Sequence, residues 1–101
     1  MTAHAVFITH RTRAGQRTRA EEVWTRIMKP AIQANPNHLA YVYTLPVDEP
    51  DVIRAFQLYR TAEDAAAFLR TPEYLEYSEA VEQHLDGAPH VASAPATWVK
   101  T

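Results

Sequence analysis

Apolar positions recur along this chain with two different periods, and the changes of period mark its elements. Residues 3–12 (AHAVFITHRT) are rich in β-branched and aromatic residues and read as a first strand. Residues 13–16 make a turn in which Gly15 supplies backbone freedom. From residue 17 to 34 the period becomes helical. Ala20, Val23, Trp24, Ile27, Met28, Ala31 and Ile32 form one apolar stripe, and Arg17, Arg19, Glu21, Glu22 and Arg26 fall mostly off it, as a solvated face. Pro30 lies inside the pattern and is expected to kink the helix or restart it as a final turn. Asn35-Pro36-Asn37 then stops it.

Residues 38–46 (HLAYVYTLP) and 52–60 (VIRAFQLYR) read as strands two and three, a hairpin closed by the polar connection 47–51. Thr61 followed by Asp64 predicts a helix cap with an acid in the first turn, opening a short alanine-rich helix over 62–70. Thr71-Pro72-Glu73 repeats the signal. The helix it opens is expected over about 72–85, with Leu75, Ser78, Val81 and Leu85 on one stripe, ended by Asp86-Gly87. A last short strand is expected around 96–100 with Trp98 inside it. The order is β-α-β-β-α-β, an α+β domain of ferredoxin-like topology spanning residues 1–101, with a four-stranded antiparallel sheet and helices on one face. Two helices cover one face of such a sheet. Yet Val6, Phe7 and Ile8 are consecutive in strand one, and strand three is apolar on both alternating sets. The second face needs a cover, and a second copy of the chain is the simplest one, so a homodimer packed face to face is expected.

Composition narrows the chemistry. With 101 residues, 47% of them apolar, the chain can build one small core. A net charge of −2 with interspersed signs argues against a nucleic-acid surface. The absence of cysteine excludes disulfides, thiolate metal sites and a cysteine nucleophile. Two glycines cannot build a phosphate loop, and no serine sits in a Gly-x-Ser-x-Gly setting. None of the five histidines pairs at i, i+4, so no metal site is expected. The start, Met1-Thr2-Ala3-His4, lacks the features of a secretion signal, and no apolar run approaches the roughly 20 residues that span a bilayer. A soluble cytoplasmic protein without membrane contact is expected.

Several stretches carry a resemblance. Arg11-Thr12-Arg13-Ala14-Gly15-Gln16, the Pro30 within helix one, Leu69-Arg70-Thr71-Pro72-Glu73-Tyr74 and Tyr77-Ser78-Glu79-Ala80-Val81 occur in the order and spacing of the antibiotic-biosynthesis monooxygenase family. Residues 5–43 and 52–85 resemble that family, and within it the bacterial quinol monooxygenases. The resemblance implies a dimeric α+β barrel. It also implies, for several members, oxidation of quinols or polyphenolic polyketides by molecular oxygen with no metal, flavin or haem. Other members degrade haem, using a helix histidine to hold iron; this chain has no histidine between residues 39 and 83 and carries Phe68 in that region. Where members often carry tryptophan at the end of strand three, it carries Tyr59.

The candidate site follows. Gln57 and Tyr59 share one face of strand three, which the resemblance turns toward a pocket between sheet and helices. There they offer an amide and a phenol as hydrogen-bond donors; the alternative is that Tyr59 is a core aromatic. His10 is a candidate general base. Tyr41 and Tyr43 share a face of strand two and either stack on a planar ligand or serve as sheet residues. Tyr74 and Tyr77 are neighbours on the second helical region, one packing and one lining a pocket. Trp24 and Phe68 are expected as core or pocket wall. His38 and His84 read as partly exposed structural histidines. The expected activity is cofactor-independent oxidation of a small phenolic or quinol compound. The alternatives are a non-catalytic protein of the same fold that binds a small aromatic or assists assembly, and an isomerase or decarboxylase.

Overall fold

A computed structural model of the chain describes residues 2–101. Four strands, β1 (His4–Arg11), β2 (His38–Thr44), β3 (Val52–Tyr59) and β4 (His90–Pro95), form one antiparallel sheet in the order β2-β3-β1-β4. This is the ferredoxin-like α+β arrangement that the element order predicts. The first helical region packs Ala20, Val23, Ile27 and Met28 into the core, along the stripe read from the sequence.

That region is interrupted. Helix α1 (Arg17–Val23) passes into a π turn (Trp24–Met28) before α2 (Lys29–Ala34). The N–H of Lys29 reaches back five residues to the Trp24 carbonyl. Pro30 has no N–H to donate and its ring would crowd the carbonyl four residues earlier; the wider turn just before it accommodates both. The proline therefore acts through a local bulge rather than a sharp kink. Arg17 corrects the solvated-face reading. Its guanidinium donates to the carbonyls of Pro46 (3.0 Å), Glu49 (3.0 Å) and Val52 (3.3 Å), tying α1 to the β2–β3 connection.

Helices α3 (Ala62–Phe68) and α4 (Pro72–Val81) begin as their capping residues predict. Thr61 Oγ1 accepts from the Asp64 N–H at 3.1 Å, and Thr71 Oγ1 from the Tyr74 N–H at 3.2 Å. A 3-10 turn (Glu82–His84) follows, so the region expected as one helix to 85 ends in a tighter turn. Its inward stripe also differs. Leu75 is exposed and Tyr77 is buried together with Val81, because α4 packs on the π turn through its tyrosine side.

The last strand is corrected as well. It occupies His90–Pro95, not 96–100, and Trp98 lies beyond it, 79% exposed. Residues 90–95 pair with β1 through Val6↔Ser93 and its neighbours, a register that alternation of small residues did not announce. The face of the sheet away from the helices carries Phe7 and Phe56 as a cross-strand pair with centroids 5.3 Å apart, and Val42 beside them half exposed. No helix among the described residues is long and apolar enough to cross a membrane.

Candidate functional site

Helices α3 and α4 stand off the sheet on the side of β4, whose residues are all exposed. The gap is a cavity of about 270 Å³. Alternation supplies its floor: His4, Val6, Ile8 and His10 from β1, Gln57 and Tyr59 from β3. Its roof comes from Phe68, Tyr74 and Tyr77, and the alanines of α3 keep the space open. The walls are mostly apolar and aromatic, with a few polar groups, the usual anatomy of a small-molecule site.

The principal polar edge is a short network. Asn35 Oδ1 accepts the Asn37 N–H at 3.2 Å, which fixes its amide nitrogen toward His38 Nδ1, 2.9 Å away. That contact makes Nδ1 the acceptor, so the proton of a neutral His38 resides on Nε2 and is donated to Gln57 Oε1 at 3.2 Å. The Tyr59 hydroxyl donates to the same Oε1. With its oxygen taken twice, Gln57 has its amide nitrogen left as the donor for anything in the cavity it lines. Burial holds the His38 imidazole below its usual pKa, opposed by the Gln57 hydrogen bond.

Burial acts in the same sense, against charge, on His10 and on the tyrosines around the site. It lowers His10, whose buried Nδ1 has no hydrogen-bond partner among the described residues. It raises Tyr59, Tyr74 and Tyr77, and pushes Tyr41 up to about 12 against the Trp24 hydrogen bond. The tyrosines are therefore neutral donors near pH 7 and no phenolate base. Burial likewise favours the neutral forms of His10 and His38, and both ring nitrogens of His38 are already engaged.

The structure brings Tyr59, Gln57, His10, Tyr41, Phe68 and Tyr74 together around this cavity. It places Trp24 and Tyr43 elsewhere. Their rings stack at 4.1 Å on the other side of Tyr41, whose hydroxyl accepts from Trp24 Nε1 at 3.2 Å. They support Tyr41 from behind and pack against the core, and they do not line this cavity. His38 is the residue that sequence reasoning set aside. Strict alternation puts it on the face of Ala40 and Val42. The ladder, however, shifts register between His38 and Ala40, and this bulge turns His38 to the face of Tyr41. Its ring lies 4.3 Å from that of Tyr59 and edge-on to Phe68 at 4.6 Å. His38 is partly exposed, as the sequence reading has it, but its ring is turned inward onto Gln57 and Tyr59. His84, by contrast, bonds Gln16 Oε1 at 3.0 Å away from the cavity. Among the described residues, no three histidine, aspartate or glutamate side chains cluster as metal donors.

Solved structures of the same shape are numerous. A Nitrosomonas europaea protein named "Putative antibiotic biosynthesis monooxygenase" superimposes with TM-score 0.87 at 17% identity, over 95% of this chain and 91% of that one. A Caulobacter crescentus protein of the same name gives 0.88 at 18%, over 96% and 92%. A Bacteroides thetaiotaomicron protein of unknown function, named "Possible Oxidoreductase", gives 0.82 at 15%, over 94% and 98%. At such identities the likeness is one of fold. No curated protein matches the sequence. The family model described as "Antibiotic biosynthesis monooxygenase" matches residues 3–80, from the first strand into the last turn of the helix that roofs the cavity, and with most of its length so matched the chain belongs to that family.

Proposed function

We propose that this protein is a monooxygenase that oxidises a small phenolic or quinol compound with molecular oxygen, without metal, flavin or haem, and that it works as a homodimer. The observation that carries the reading is the aromatic cavity whose polar edge is Gln57, joined to Tyr59 and His38. A flat ring fits between the sheet floor and the Phe68–Tyr74 roof. Oxygen accepts an electron from a phenolate far more readily than from a phenol, so a proton must leave first. Neutral His10, whose ring lines the cavity floor, is the group we assign to take it. One electron then passes to oxygen, and the radical pair joins as a peroxide on the ring carbon. Cleavage of the O–O bond leaves one oxygen in the quinone and releases the other as water with the two hydrogens of the substrate. The Gln57 amide is the fixed donor for the developing oxygen anion.

The absence of cysteine and of any histidine between 39 and 83, with only two glycines, supports a reaction in which the substrate itself supplies the electrons. The dimer rests on the Phe7–Phe56 face, apolar and uncovered. Metal-free protein incubated with a panel of quinols and anthrones tests the activity. Oxygen consumption with quinone formed in equal amount is the expected result. Binding of the aromatics with no oxygen uptake would favour the non-catalytic reading, which has its own support in the Tyr59 hydroxyl being committed to Gln57.

A further inference from the structure

A second cavity, about 540 Å³ and more polar in its lining, adjoins the first. The two share His10, Tyr74, Tyr77 and Pro89 along one rim. Its distinctive residue is Arg13, which the aromatic site does not use. The Arg13 backbone N–H donates to the His84 carbonyl at 3.0 Å, and its side-chain Nε donates to the Leu85 carbonyl at 3.4 Å. Segment and side chain are thus both held, and the two Nη groups have no partner among the described residues. The base beneath is fixed by the Thr12–Leu85 bridge and by the Asp86 N–H on the Arg11 carbonyl at 2.8 Å. Tyr74, Tyr77 and Ser78 add hydroxyls to the same cavity, none of them bonded to another group among the described residues. The groups left unpaired here include three hydroxyls, which can donate or accept, and one cation, the Arg13 guanidinium. Glu82 lines the cavity too, but stands in no ion pair with Arg13.

We propose that this second cavity receives an acidic side arm of the substrate, so that the ligand is a two-part molecule: a flat phenolic head in the aromatic cavity and a carboxylate-bearing tail on Arg13. A planar guanidinium with both Nη groups free suits a carboxylate in particular, since it meets both oxygens at once. A neutral polar tail would meet the guanidinium without opposing its charge. The placement of the head rests on the functional reading given above. The tail on Arg13 is a separate claim about the neighbouring cavity. It also gives the substrate an orientation, because the tail on Arg13 runs past His10 at the shared rim.

The test is binding, not turnover, with two probes of one shape: 4-(4-hydroxyphenyl)butanoate and 4-(4-hydroxyphenyl)butanamide. Titrated by NMR into the intact protein at low salt, the carboxylate is expected to bind about fivefold tighter or more, as an anchored charge pair at a partly exposed site allows. In Arg13→Gln the preference should disappear while amide binding stays the same. In Glu82→Gln carboxylate binding should tighten and amide binding should not; this variant keeps the test valid if Arg13→Gln does not fold. Equal affinity for the two probes in the parent, or a preference that survives Arg13→Gln, overturns the proposal. Failure of both probes to bind overturns it together with the aromatic-cavity reading. Preferred carboxylate binding together with no oxygen uptake across the quinol and anthrone panel would remove the monooxygenase reading alone.

Discussion

Tyr59 is 2% exposed and commits its hydroxyl to Gln57, so its contributions to packing and to chemistry separate cleanly. Tyr59→Phe keeps the ring and its contacts with His38 and Phe68 and removes one hydrogen bond, about 1 kcal/mol of stability. If that hydroxyl holds Gln57 in place for the oxygen anion, turnover of a quinol should fall about 100-fold. Steady-state oxygen uptake beside a thermal melt reads both, and equal activity would make Tyr59 a packing residue. The histidines make a pH prediction. Burial lowers both His10 and His38, so the native state resists the proton that the unfolded chain accepts near the ordinary histidine value of 6.5. Above that value both states are neutral and the stability is whole. As pH falls below it, the unfolded state gains protons that the native state does not, and stability is lost until the folded pKa values are passed. The melting temperature should therefore drop from pH 7 toward pH 5, and His10→Leu should flatten part of the drop. An unchanged slope in that variant would assign the effect elsewhere.

At the scale of elements, the cavity exists because α3 is short and poor in bulk. Ala62, Ala65 and Ala66 line it where larger side chains would fill it. Ala65→Leu adds volume to empty space, not to a packed core, and should change stability by less than about 1.5 kcal/mol. It should weaken the binding of a bicyclic phenol at least tenfold, measured by titration. Undiminished binding would move the ligand out of this cavity. The π turn works from the other side. By letting Pro30 sit inside a continuous helical region, it keeps Ile27 and Met28 buried under the sheet, and Met28 reaches the cavity wall.

For the whole molecule, the second face of the sheet is the surface on which the proposed dimer rests. A domain of this size buries only about 60–65% of its unfolded surface. Here Phe7, Val42 and Leu39 remain about half exposed, on a sheet with no further layer of its own. A dimer formed through this face should appear as twice the chain mass in light scattering at micromolar concentration. Phe56→Lys places a charge opposite Phe7, away from Gln57 and Tyr59, and should shift the protein toward monomer by burying an unpaired ammonium. A parent that scatters as a monomer would remove the dimer from the proposal.

Local pattern and residue type determined the order of the elements, the stripe of the first helical region, the two threonine caps and the shared face of Gln57 and Tyr59. These are local properties: side-chain alternation, helical spacing and the satisfaction of free N–H groups depend on neighbours a few residues away. Tertiary structure decided the rest. β4 settled on residues 90–95 through its pairing with β1, a long-range contact with no local signature. Arg17 found three carbonyls in a connection some thirty residues downstream. The bulge beside His38 is the sharpest case. A one-residue shift in a strand reverses which side chains face the helices, and no pattern in HLAYVYT announces it. That shift carried a histidine set aside in the sequence onto Gln57, whose amide lines the cavity.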